Sequence, residues 1–220
     1  MLNALIFDFD GLILDTETAE YTTWQKIYGE HRYDFPLAEW GRIVGGSGHS
    51  SFDPATHLTH LSQGRLDSAS IRNRHTDESL ALIHAQPTLP GVRELIQQAK
   101  DHRLKIAIAS SSSHNWVDGH AKRLGIFHHF DAVICSDDVG GRVKPQPDLF
   151  LLALNQLGVE KEAAVIFEDS PNGVLAANRA GIFVVAVPNQ VTAQLTLDHA
   201  NHIIPSLADL SLATLLQLIQ

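Results

Sequence analysis

The chain has 220 residues, 44% of them apolar and 19% charged, which places it among ordinary globular proteins and outside disordered or fibrous classes. A chain of this size removes roughly 70–75% of its unfolded surface from water, so no disulfide or structural metal is needed to hold a core. Sixteen basic residues against twenty-five acidic ones give a net charge of −9, and no basic run exceeds two residues, which argues against nucleic acid as a partner.

The first predicted element is a strand over Ala4 to Phe7. The stretch before it lacks the basic region and long apolar run of a signal peptide. No segment reaches the eighteen or so apolar residues of a spanning helix. No membrane partner is therefore expected. The single cysteine, Cys135, excludes an intrachain disulfide and points to a reducing, cytoplasmic setting; it reads as a small buried strand residue.

Directly after the first strand comes Asp8-Phe9-Asp10-Gly11. Strand side chains alternate, so carboxylates at i and i+2 point to the same side. In open α/β sheets the active site lies beyond the carboxyl ends of the strands, where this pair falls. Two acids held together there repel unless a cation or a proton lies between them.

From about Thr16 to Gln86 the chain shows helical patterns, including Glu17 to Glu30 and Ser68 to His84, and no convincing strand. Nearly one hundred residues separate the first and second strands, far more than one crossover helix uses. The stretch 16–86 is therefore expected to be an inserted helical domain, with 1–15 and 87–220 forming the core. Asp15-Thr16 on the way out and Pro87-Thr88-Leu89-Pro90-Gly91 on the return carry the marks of a helix cap and a hinge. The glycine-rich patch Gly45-Gly46-Ser47-Gly48 lies inside the insertion rather than between a strand and a helix, so it fits neither a Walker loop nor a dinucleotide fingerprint. It reads as an interhelical loop or, alternatively, a substrate-facing one.

Beyond the insertion, apolar runs at Lys105 to Ala109, Ala132 to Cys135, Ala163 to Phe167 and Phe183 to Val187 alternate with helical patterns such as Gly91 to His102 and Pro147 to Leu157. Runs apolar on both faces and separated by helices read as a parallel sheet covered on both sides, a doubly wound α/β fold. The second strand ends in Ser110-Ser111-Ser112-Ser113, offering a hydroxyl and backbone N–H groups near a helix start. Alone, a serine run marks a turn. Lys144 precedes Pro145, whose fixed geometry favours a positioned phosphate ligand over a solvated charge. The fourth strand ends in Glu168-Asp169, hard oxygen ligands of the type magnesium prefers.

In this order, Asp8-Phe9-Asp10-Gly11, Ser110, Lys144 and Glu168-Asp169 resemble the four motifs of the haloacid dehalogenase superfamily, over Ala4 to about Pro188. The helical insertion resembles the family's type 1 cap, and the sequence is most similar to the branch of beta-phosphoglucomutases and related phosphatases. Leu12 stands where the family usually has Thr or Val. The resemblance implies a magnesium-dependent enzyme in which Asp8 is the nucleophile that forms an aspartyl phosphate and Asp10 the general acid and base. It further implies that Ser110, a backbone N–H near Ser111, and Lys144 hold the phosphate, while Asp8, the Asp10 carbonyl and Asp169 hold Mg2+, with Glu168 as a direct or water-mediated partner. Thr16, Glu17, Glu20 and the loop Gly45 to His49 are the candidate substrate contacts.

Asp10 excludes the dehalogenases themselves, whose leaving halide needs no proton. Beta-phosphoglucomutases carry a His where this chain has Glu20, and a Lys soon after the second-motif serine where it continues Ser112-Ser113-His114. Both departures favour a phosphatase acting on a small phosphorylated metabolite, a sugar phosphate or similar monoester, over a mutase. A catalytically silent metabolite-binding protein is the remote alternative. A monomer is expected. The thirteen histidines, including His57, His60, His128 and His129, lack zinc-protease spacing, and Arg72-Asn73-Arg74-His75 reads equally as an exposed helix face or an anion contact.

Overall fold

The structure is a computed structural model that describes residues 1–42, 44 and 52–219. Five strands fall where apolar runs predict them: β1 (Ala4–Phe7), β2 (Lys105–Ala109), β3 (Ala132–Ile134), β4 (Ala164–Glu168) and β5 (Phe183–Ala186). A sixth, β6 (His202–Ile203), was not predicted, because a two-residue strand at the sheet edge needs no apolar run. All neighbours pair in parallel, in the order β3-β2-β1-β4-β5-β6. The doubly wound α/β expectation holds.

Strand β1 shows why its sequence is apolar throughout. Leu5 and Phe7 join the core on one face of the sheet, where Phe7 stacks on Phe167 at 5.1 Å, while Ala4 and Ile6 join the core on the other. Both faces are covered, so no position tolerates a polar side chain. The covering helices are α5 (Val92–Asp101), α6 (His114–Arg123), α7 (Asp148–Leu157), α8 (Pro171–Ala180) and α9 (Leu212–Leu218).

Between β1 and α5 lie α1 (Thr16–Glu30), α2 (Leu37–Trp40), α3 (Pro54–Leu61) and α4 (Ser68–Ala85), with no strand among the described residues of this stretch. Asp15 caps α1 by accepting a hydrogen bond from Thr18 N at 3.1 Å. Helices α1 and α4 pack as a pair, with Trp24 stacked on His75 at 3.9 Å. Their core is a separate aromatic cluster that includes Tyr21, Trp24, Tyr28, Phe35 and Trp40. One member comes from elsewhere: Val191, beyond β5, is buried in that cluster and ties the helical unit to the sheet unit. Asn172 adds a hydrogen bond to the carbonyl of Val44 at 2.9 Å. No helix among the described residues is long and apolar enough to cross a membrane.

Candidate active site

Strand order decides where the chemistry collects. Because β1 lies between β2 and β4, residues just past their carboxyl ends become neighbours, and the register Phe7↔Phe167 sets Asp8 beside Glu168. Asp8 N donates to Phe167 O at 3.0 Å, and Ser110 N to Ile134 O at 2.9 Å, so each side chain leaves from a paired backbone. A tight turn carries the chain on from Asp8, with Gly11 N bonded to Leu14 O at 2.7 Å and Ile13 N to Phe9 O at 2.9 Å. Leu12 is buried in the core beneath this turn, consistent with a supporting position. Gly11 has φ +79°, and a Cβ there would lie 2.3 Å from Asp169 Oδ2, so only glycine fits.

Lys144 is 1% exposed. Its ammonium donates to Asp8 Oδ1 and, at 2.6 Å, to Glu168 Oε1, and it lies 5.0 Å from the centre of the Phe150 ring. Burial disfavours its charge, but the carboxylates of Asp8 and Glu168 outweigh that and raise its pKa above the usual lysine value. The other oxygen of Glu168 accepts from Asp169 N at 2.9 Å and from Ser170 N and Oγ, both at 3.0 Å. Both of its oxygens are thus engaged.

Asp169 Oδ2 accepts from Asn189 Nδ2 at 2.7 Å, while its Oδ1 is buried with no partner among the described residues. One oxygen each from Asp8, Glu168 and Asp169 fall within 4.8 Å of one another. Burial raises the Asp8 carboxyl, Lys144 pulls it back, and Glu168 and Asp10 push it up again, leaving it at about 8. Asp169 is raised well above the carboxylate range, by burial first and then by Glu168 and Asp8. Three carboxylates around one ammonium leave two negative charges when all are ionised. A divalent cation of hard-ligand character answers that excess and gives the orphaned Asp169 Oδ1 a partner, so the residues fit the Mg2+ that the motifs imply.

Asp10, half-buried, accepts from Trp116 Nε1 at 2.7 Å on Oδ1, and from Ser112 Oγ at 2.6 Å and Ser110 Oγ at 3.3 Å on Oδ2. Ser111 lies in the same loop, half-buried. Glu17 and Glu20, at the start of α1, face this acid pair. Burial pushes Glu20 up to about 7, with Asp10 adding to the shift, and Glu17 is raised well above the usual carboxylate value by burial first and then by Glu20 and Asp10. Thr16 Oγ1 and Glu17 Oε2 are buried without a partner among the described residues. The structure therefore gathers Asp8, Asp10, Ser110, Lys144, Glu168, Asp169, Glu17 and Glu20 around one locus.

Other expectations resolve differently. The loop Gly45 to His49 lies outside the described residues. Arg72 is engaged by both oxygens of Asp53, at 2.6 and 3.0 Å, and Arg74 by Glu30 and Glu78, which makes this segment an ion-paired helix face rather than an anion site. Burial pushes the Cys135 thiol up to about 12, as befits a buried strand-end residue rather than a nucleophile. A cavity of about 750 Å³ opens at the opposite end of the sheet, lined by residues such as Leu2, Ile182 and Leu216, far from these acids. Chemistry, rather than volume, locates the site. Sequence reasoning missed Ser112, Trp116, Ser170 and Asn189. Asn189 stands past the end of β5, as the predicted residues stand past theirs, and that position was the signal available.

The model of haloacid dehalogenase-like hydrolases matches residues 5–187. YhcW of Bacillus subtilis, whose name assigns it provisionally to the phosphatases, is 42% identical over 216 residues, covering 98% of this chain and 97% of that one. The fructose-1-phosphate phosphatase YqaB of Escherichia coli is 31% identical over 185 residues, covering 83% of this chain and 95% of its own. The crystal structure of beta-phosphoglucomutase from Clostridium difficile aligns at a TM-score of 0.74 and 25% identity, over 100% of this chain and 97% of that one. The chain belongs to the haloacid dehalogenase-like hydrolases, and its enzyme class is that of a hydrolase acting on phosphoric monoesters.

Proposed function

We propose that this chain is a magnesium-dependent phosphatase that hydrolyses a small phosphomonoester, a sugar phosphate, through an aspartyl phosphate on Asp8. The observation that carries this reading is the buried contact of Lys144 with both Asp8 and Glu168 beside an orphaned Asp169 oxygen. A carboxylate so held is oriented for attack. A cation-flanked pocket also tolerates the dianionic phosphate that an acidic protein would otherwise repel.

Asp8 attacks phosphorus in line, and Asp10 protonates the departing ester oxygen, then accepts a proton from the water that cleaves the acyl phosphate. Ser110, the backbone N–H near Ser111, and Lys144 hold the phosphate oxygens. Asp8, the Asp10 carbonyl, Asp169 and, with its share in Lys144, Glu168 would hold Mg2+. When bound, that ion neutralises charge on the phosphate and on the carboxylates around it.

The helices between β1 and β2, over 16–86, act in this reading as a cap that closes over the acids. Thr16, Glu17 and Glu20 then meet the leaving group. Carboxyls with raised pKa values and an unpartnered hydroxyl both donate and accept hydrogen bonds, which suits the hydroxyls of a sugar. The E. coli relative's named substrate is of that class.

Purified protein assayed against a panel of phosphorylated sugars and nucleotides, with and without Mg2+, should release phosphate steadily with metal. The Asp8→Asn variant should release none. Interconversion of glucose phosphates without release would overturn hydrolysis in favour of a mutase, and full retention of function by Asp8→Asn would point to a binding protein.

A further inference from the structure

Asp10 is tied down by a residue that the proposed chemistry does not use. Trp116 is the third residue of α6, and its indole N–H reaches Asp10 Oδ1 at 2.7 Å across 106 residues of sequence. The other oxygen, Oδ2, faces Ser112 Oγ at 2.6 Å and Ser110 Oγ at 3.3 Å. These two sets of partners differ in kind. An indole N–H only donates, so Oδ1 is held permanently as an acceptor, whereas serine hydroxyls rotate and can either donate or accept. A proton on Oδ1 would face another donor; on Oδ2 it faces hydroxyls able to receive it. Oδ2 is also the oxygen nearer Ser110, on the side where phosphate binds in the proposed function.

We propose that Trp116 is a positioning residue that turns the carboxyl of Asp10 so that Oδ2 is presented to the leaving group. The inference rests on Asp10 being the general acid. In the first half-reaction an Asp8 oxygen forms its bond to phosphorus as the ester P–O bond breaks. The released oxygen takes the proton from Asp10 Oδ2, and Asp10 is left as a carboxylate whose Oδ1 the indole still holds. The ring itself is fixed by packing, with its edge-to-face contact on His120 at 4.4 Å between ring centres. Rotating Asp10 away therefore breaks that short hydrogen bond.

The test compares an alkyl ester, 2-phosphoglycerol, with an aryl ester, 4-nitrophenyl phosphate, using kcat/KM, which reports steps only through formation of the aspartyl phosphate. A poor alkoxide leaving group needs the proton, and a nitrophenolate does not. Trp116→Phe keeps a ring against His120 and removes the N–H. It should lower kcat/KM for the alkyl ester by about tenfold to a hundredfold, within the span of general acid catalysis, and that for the aryl ester by less than about threefold. Equal losses on both esters, or none on either, would overturn the proposal. Should Trp116→Phe fold poorly, benzothienylalanine placed at position 116 keeps the bicyclic shape and lacks the donor, and the same ratio decides. Asp10→Asn is run alongside. If it leaves the alkyl-to-aryl ratio unchanged, the acid assignment itself fails, which is distinguishable from a failure of Trp116 alone.

Discussion

Lys144 Nζ lies 2.6 Å from Glu168 Oε1, with both side chains wholly buried, and the same ammonium holds Asp8. Asp8, Lys144 and Glu168, which the proposed function makes the nucleophile, its cation and a metal-side acid, thus form one unit in which no charge is independent. Replacing Lys144 by Met preserves the stem and deletes the charge, leaving buried carboxylates without their cation. Loss of one partner from a buried pair typically costs about 3–5 kcal/mol. Urea denaturation of metal-free Lys144→Met should show a loss of that order together with loss of phosphatase turnover; unchanged stability would mean that the carboxylates are neutral in the folded chain.

Asp169 predicts an opposite sign. Its carboxyl is buried among like charges and Oδ1 has no partner among the described residues, so in the proposed function the metal-free protein is destabilised by a group that would hold Mg2+. Asp169→Asn should raise the metal-free melting temperature and abolish the rise that Mg2+ is expected to produce in the parent protein. Differential scanning calorimetry with and without Mg2+ reads both. A variant that melts lower and still gains from Mg2+ would remove Asp169 from the metal set.

Gly173 follows Ser170-Pro171 in the first turn of α8, and a Cβ there would lie 1.8 Å from Glu168 Cδ. Gly173→Ala should therefore displace the carboxylate that clamps Lys144, costing about 1–3 kcal/mol by overpacking and reducing turnover. Gly119 in α6 meets nothing within 4 Å, and Gly119→Ala should stabilise the protein by about 0.5–1 kcal/mol with activity intact. Thermal melts of the pair separate steric conflict from helix propensity; similar behaviour of the two variants would refute the close approach.

The buried His75 stacks on Trp24 and bonds the carbonyl of Glu20 at 3.0 Å. Burial, working against that hydrogen bond and Glu78, depresses its pKa. A histidine with a lowered folded pKa binds fewer protons folded than unfolded, so its contribution is present above about pH 6.5 and is lost as pH falls toward the folded value. The His75 contribution to stability should decline between pH 7 and pH 5, against the opposite trend set by the raised carboxyls of Asp8, Glu17, Glu20 and Asp169, and His75→Gln should remove that component from the pH profile. An equal slope in the variant would assign the effect to other groups.

Much of the sheet was legible because parallel strands buried on both faces must be apolar at every position, and such runs stand out between amphipathic helices. Strand β6 was not, since half-exposed His202 and exposed Ile203 carry no such mark. That helices rather than strands fill much of the stretch between β1 and β2 was legible from its helical patterns and from the spacing of the two strands, but their aromatic cluster and its anchor on Val191 were not, because nothing local joins position 191 to position 24.

The same division runs through the site. That Asp8 and Asp10 stand two residues apart past β1, and that Ser110 and Glu168-Asp169 stand at the ends of β2 and β4, was legible in the sequence, because residue type and strand periodicity are local properties; Lys144 lies in a loop ten residues beyond β3, so that strand end did not mark it. That Trp116 would hold Asp10 and Asn189 would hold Asp169, across 106 and 20 residues, was decided only by the tertiary structure. Hydrogen-bond partners are chosen by distance in space, and strand order, which sets β1 between β2 and β4, is what brings those ends together.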